Sequence, residues 1–119
     1  MNPRPQRPMQ ERESGGLRFL GEQDGVPERE LKVRLSTLFS EFSENGVHKA
    51  YLARVKYEDS TEAVALCVSS HYGAIETTVE RVGSIFAEMF GPQEHLDIIV
   101  LDESQEAELA MCCSPFFER

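Results

Sequence analysis

Tryptophan is absent from the chain, cysteine occurs three times, and no apolar run is long. A membrane-spanning helix needs about 20 consecutive apolar residues, so none is expected. The first residues also lack the hydrophobic core of a secretory signal. Three cysteines are too few, and odd in number, for a disulfide framework. They read as reduced thiols, and the compartment read from these absences is the cytoplasm. Basic residues are scarce as well: 12 Lys and Arg against 21 Asp and Glu give a net charge of −9. The first sixteen residues hold Arg4, Arg7 and Arg12 against Glu11 and Glu13, which leaves −10 on the remainder. Such a surface repels phosphate backbones and anionic lipid, so neither nucleic acid nor a membrane is expected as a partner.

Chemical motifs are missing too. Gly15-Gly16 and Gly91-Pro92 read as a linker and a helix stop, not as a phosphate-binding loop before a helix. Ser69-Ser70-His71 sets a hydroxyl beside an imidazole, but alternate residues at a strand end point apart. Ser70 reads instead as a cap for the following helix. The adjacent pair Cys112-Cys113 fits neither zinc-ligand spacing nor a Cys-x-x-Cys redox motif. With Cys67, His48, His71 and His95 it could form one soft-ligand site only if folding gathers them. Cys112, Cys113, His71 and His95 are the weak metal or thiol candidates, and the plainer expectation is that one cysteine of the pair packs inward. Asp102, Glu103, Glu106 and Glu108 read as solvated carboxylates at a helix start. No catalytic residue and no cofactor is assigned.

What remains is a folding pattern. The length of 119 residues suits one domain, and 40% hydrophobic with 28% charged residues is ordinary for a soluble protein. Residues 1–16, with Pro3, Pro5 and Pro8, have little to bury and read as a disordered tail; residues 17–119 read as the domain. Val47 to Ser70 is its centre, two strands joined by the polar run Glu58 to Glu62. Period-two alternation puts Val47, Lys49, Tyr51, Ala53, Val55 and Tyr57 on one face of the first strand. Its other face carries Ala50 and Leu52 with His48, Arg54 and Lys56, and the last two residues suggest a charge-protected edge strand. The second strand has Val64, Leu66 and Val68 on one face and Ala63, Ala65 and Cys67 on the other, as for a strand covered on both sides.

Around this hairpin, Leu17 to Glu22 suits a short strand. A helix from Pro27 carries Leu31, Leu35, Leu38, Phe39 and Phe42 in one stripe and is closed by Asn45-Gly46. Ile75, Val79, Val82, Phe86, Met89 and Phe90 share a face of a second helix. Leu96 to Leu101 reads as another strand, followed by a short acidic helix to about Cys113. Phe116 and Phe117 are expected to dock, the final helix and this pair adding to a sheet edge or covering the open face. This order, βαββαβ with an extra C-terminal helix, predicts an α+β, two-layer sandwich of ferredoxin-like (split βαβ) type with two helices on one sheet face.

Pro27, the run Ala50-Tyr51-Leu52-Ala53 and the closing Pro115-Phe116-Phe117 together resemble the C-terminal domain of the enhanced-serine-sensitivity (SseB) protein family, over roughly Leu17 to Arg119. Longer members of that family carry a separate domain before this one. The resemblance implies no catalytic residues, and its name records a serine-sensitivity phenotype. Three functions follow in order. The first is a non-enzymatic interaction or regulatory module of the bacterial cytosol, a homodimer through the sheet edge or open face or a binder of an unidentified protein. The second is an amino-acid sensor, suggested by the phenotype and by fold analogy. The third is a cysteine–histidine metal or thiol site.

Overall fold

The computed structural model describes residues 17–41, 47–70, 76–91 and 93–118. The expected tail, Phe42, the Asn45-Gly46 stop, His71, Ile75 and Pro92 lie outside them. In order the elements are β1 (Leu17–Glu22), α1 (Val26–Glu41), β2 (Val47–Tyr57), β3 (Glu62–Ser70), α2 (Glu76–Phe90), β4 (Asp97–Val100), α3 (Glu103–Ala110) and β5 (Phe117–Glu118). Each longer helix was legible from its apolar stripe. In α1 the Arg29 N–H makes the first helical bond, to the Gly25 carbonyl at 2.9 Å, so Pro27 sits in the first turn where no N–H is needed. α2 ends where Gly91 adopts φ 88, the left-handed conformation that costs glycine little. The helix begins at Glu76, six residues after Ser70, so Ser70 belongs to the strand and not to the helix start.

The hairpin forms as its sequence directs. Tyr57 and Thr61 close the turn by a backbone bond of 2.8 Å, and the Asp59 carboxylate accepts from the Thr61 N–H and hydroxyl. β3 is buried on both sides: Leu66 and Val68 join the core under α1 and α2, while Ala65 and Cys67 join the core on the opposite face. β2 departs from strict alternation. Its register with β3 slips between Val47 and Lys49, so Val47 shares the helix-side core with Ala50 and Leu52 and not with Tyr51. An inserted residue of this kind reverses the parity that period-two counting assigns.

The α+β class holds, but the strand order is β1-β2-β3-β4, with β5 also on β2, and not a split βαβ arrangement. β3, α2 and β4 form an unsplit crossover with adjacent parallel strands. β1 pairs antiparallel with β2, from Leu17 opposite Tyr57 to Glu22 opposite Ala53. α1 continues in the direction β1 was travelling, from the Gln23 N–H on the Leu52 carbonyl to Phe39 beside Phe117. The chain therefore returns antiparallel. β2 is internal, and Arg54 is exposed because the sheet face runs past the start of α1 there; it binds Gln23 and Glu62 and marks no edge.

The final helix covers the open face, one of the two places expected for it, and adds a third layer to the two-layer sandwich. α1 and α2 cover one face, and α3 covers the other by seating Leu109 among Tyr51, Ala53, Val55, Cys67 and Ile99. Beyond α3, Phe117 returns to the helix side as β5, edge-to-face with Phe39 at 5.4 Å between centroids.

Candidate functional site

The three thiols meet different surroundings. Cys67 is fully buried in β3, and burial pushes its thiol well above the usual range. Cys113 is buried in the α3-side core, its Sγ directed at the Leu52 carbonyl at 3.6 Å. Burial, then the charge of Glu22, pushes its thiol up to about 11. Cys112 is exposed, lies 3.8 Å from the Phe19 carbonyl, and is raised by partial burial and by Glu108. One cysteine of the pair packs inward, as expected. Reactive cysteines need a lowered thiol pKa, and all three move the other way.

His95 stands at the start of β4, on the sheet edge opposite β1 and β5, so Cys112, Cys113 and His95 are not gathered. Among the described residues no group of three or more His, Cys, Asp and Glu is placed to hold a metal ion.

A polar cluster that sequence reading missed lies at the β4 edge. The Asp97 carboxylate accepts the Tyr57 hydroxyl on one oxygen and meets His95 Nε2 on the other. Tyr57 reaches Asp97 across β3, where the residues on that face are the small Ala63 and Ala65. The carboxylate is only 16% exposed, whereas the imidazole is 76% exposed. A carboxylate that orients an imidazole is one component of acid–base chemistry, but a substrate must be held against it. Here the ring projects into solvent, and the arrangement ties β2 to β4. His95 and Asp97, two apart on one side of an extended segment, were the legible half of this signal.

The acidic start of α3 is also more than solvated charge. Asp102 and Gln105 form a reciprocal capping box, at 2.8 and 3.0 Å. Glu106 accepts the hydroxyl of the buried Tyr51 at 3.2 Å and lies 3.8 Å from Lys49 Nζ. Burial, reinforced by the Glu106 charge, pushes the Tyr51 phenol up to about 12. At the other end of the α3 face, Lys32 reaches Glu22 at 2.9 Å and Asp24 at 3.2 Å. Burial opposes the Lys32 charge, but these two carboxylates outweigh it and leave its pKa raised.

A small apolar crevice between α2 and the sheet is lined by Phe39, Val47, Val68, Val79, Val82 and Ile98 among others. Its free space is about 10 Å³, on the order of one water.

Against this geometry, residues 21–119 match the family described as SseB protein C-terminal domain. The chain belongs to that family. No curated protein and no solved structure matches the chain. The SseB match spans every element from the end of β1 onward. Within it, the residues that carried the resemblance do structural work. Ala50, Tyr51, Leu52 and Ala53 are all buried, and Phe116 and Phe117 pack against the helix-side core.

Proposed function

We propose that this SseB C-terminal domain is a non-enzymatic interaction module of regulatory type in the bacterial cytosol, docking an extended segment of a partner protein along β4. The supporting observation is the outer edge of β4, which no described strand pairs. Among the described residues β4 pairs only with β3, and Val100 is 47% exposed. The Leu101 N–H points inward, to the Val68 carbonyl at 2.8 Å. Backbone groups alternate along a strand, so the N–H and C=O of Val100 point outward, where a partner strand finds a ready ladder.

The sensing alternative is less well supported. A free amino acid brings an ammonium and a carboxylate that need charged or hydrogen-bonding partners in a pocket. The apolar crevice offers neither the room nor those partners. The thiol alternative ranks last, because every thiol is held towards its protonated form.

A thermal-unfolding screen against the amino acids and zinc separates these readings. A ligand at 100 times its dissociation constant adds about 2.7 kcal/mol, which moves the midpoint of a domain this size by several degrees. An interaction module gives no shift with any of them. A rise of several degrees with serine, a related amino acid or zinc overturns the proposal.

A further inference from the structure

One edge of β2 is divided between two unconnected pieces of chain. β1 pairs with Ala53 through Tyr57, and the Gln23 N–H takes the Leu52 carbonyl at 3.0 Å. There β1 gives way to α1, and the rest of the edge is filled from the far end of the sequence. The Phe116 N–H takes the Ala50 carbonyl at 2.9 Å, Phe117 lies opposite Ala50, and Glu118 lies opposite Lys49. The Phe117 ring rests on Phe39, the Ser36 hydroxyl donates to the Phe116 carbonyl at 3.4 Å, and Lys49 pairs with Glu118 at 3.7 Å.

Among the described residues, these partners lie on α1 and β2. None lies on α3, the element that delivers the segment. Ser114 stays with its own neighbourhood, its N–H 3.5 Å from Glu22 and its carbonyl beside Cys113. The docked part therefore begins after Pro115, and these contacts could be made equally by the same residues of another copy.

We propose that this half-edge of β2 is an exchange site, in which Phe116–Glu118 of one copy occupies the slot of a second copy, and reciprocally. The resident segment shows which sequence the slot accepts: two aromatics followed by an acid facing Lys49. Rotation about Ser114 ψ and Pro115 ψ redirects the departing segment, and the reciprocal pair closes with two-fold symmetry. The slot lies on the opposite side of the sheet from β4, so this inference does not depend on the partner-docking proposal. Because a short linker gives the cis segment an effective concentration in the mM range, exchange in the unmodified protein is expected only towards roughly that concentration.

Charge reversal makes the exchange readable. Lys49 and Glu118 are 30% and 57% exposed, so Lys49→Glu and Glu118→Lys leave the core intact. Each single variant places like charges in its own slot. In an exchanged heterodimer of the two, both slots regain an opposite pair. Equimolar mixing at mM concentration, followed by dilution and immediate native mass spectrometry, should give heterodimers on the order of tenfold above the statistical ratio to either homodimer, since two exposed pairs change together. The double variant Lys49→Glu with Glu118→Lys, repaired in cis, should dimerise no more than the unmodified protein, because Glu106 faces position 49 equally in the closed and exchanged arrangements. Phe117→Ala in both chains should abolish the heterodimer. A mixture that stays monomeric at mM concentration overturns the proposal. So does a 1:2:1 distribution of dimers, which would place the contact away from the slot.

Discussion

Tyr51 concentrates the chemistry of the α3 face in one side chain. Its phenol is neutral below pH 10 in both folded and unfolded chains. Its folded pKa is raised to about 12, so between pH 10 and 12 the unfolded chain ionises first and stability falls as pH rises. Lys32, also raised above its ordinary value, contributes a loss in the same direction. Denaturant melts at pH 9 and pH 11 should show this decline, and Tyr51→Phe should make it shallower. At neutral pH the same substitution should cost about 1 kcal/mol, for the lost bond to Glu106. Thiol labelling gives a second check. Cys112 should react in the folded protein, whereas Cys67 and Cys113 should react only on unfolding; equal rates for all three would contradict the packing. At this scale the sequence was partly legible. The inward cysteine of the pair could be expected from the apolar habit of free thiols. The roles of Tyr51, Glu106 and Asp97 could not, because each depends on a partner 40 or more residues away.

The elements were more legible than their pairing. Apolar stripes gave α1 and α2, and the small face of β3 revealed that the strand is covered twice. Strand order was lost because β1 is only six residues long and covers half of β2, so its length did not indicate that α1 would carry on and not reverse. β5, two residues long, carries no periodicity at all. The slip at His48 was hidden for the same reason, since a bulge changes parity without changing composition. α3 is short and acidic, so its place depends on few contacts. Leu109→Ala should destabilise the fold by about 2–5 kcal/mol by emptying the α3-side core. Asp102→Ala should cost about 1 kcal/mol through the lost cap. Equilibrium denaturation measures both; an Asp102→Ala loss as large as that of Leu109→Ala would mean that capping and not packing seats the helix.

Taken whole, the molecule uses its distinctive residues for construction. Among the described residues the sheet is buried on both faces, one edge is shared by β1 and β5, and the other has no strand beyond β4. The family could be read from short runs such as Ala50 to Ala53 because those residues are fixed by packing. The open edge could not be read, since it depends on which strands fail to meet. Proline is tolerated in a sheet where its missing N–H faces outward. Val100→Pro should therefore preserve the melting temperature while removing the outward donor of β4. The most direct test compares the proteins that co-purify with the unmodified chain and with Val100→Pro from bacterial cytosol, using quantitative mass spectrometry. Docking along β4 predicts a set of partners captured by the unmodified chain and lost from the variant at unchanged stability. The same partners held equally by both would contradict it.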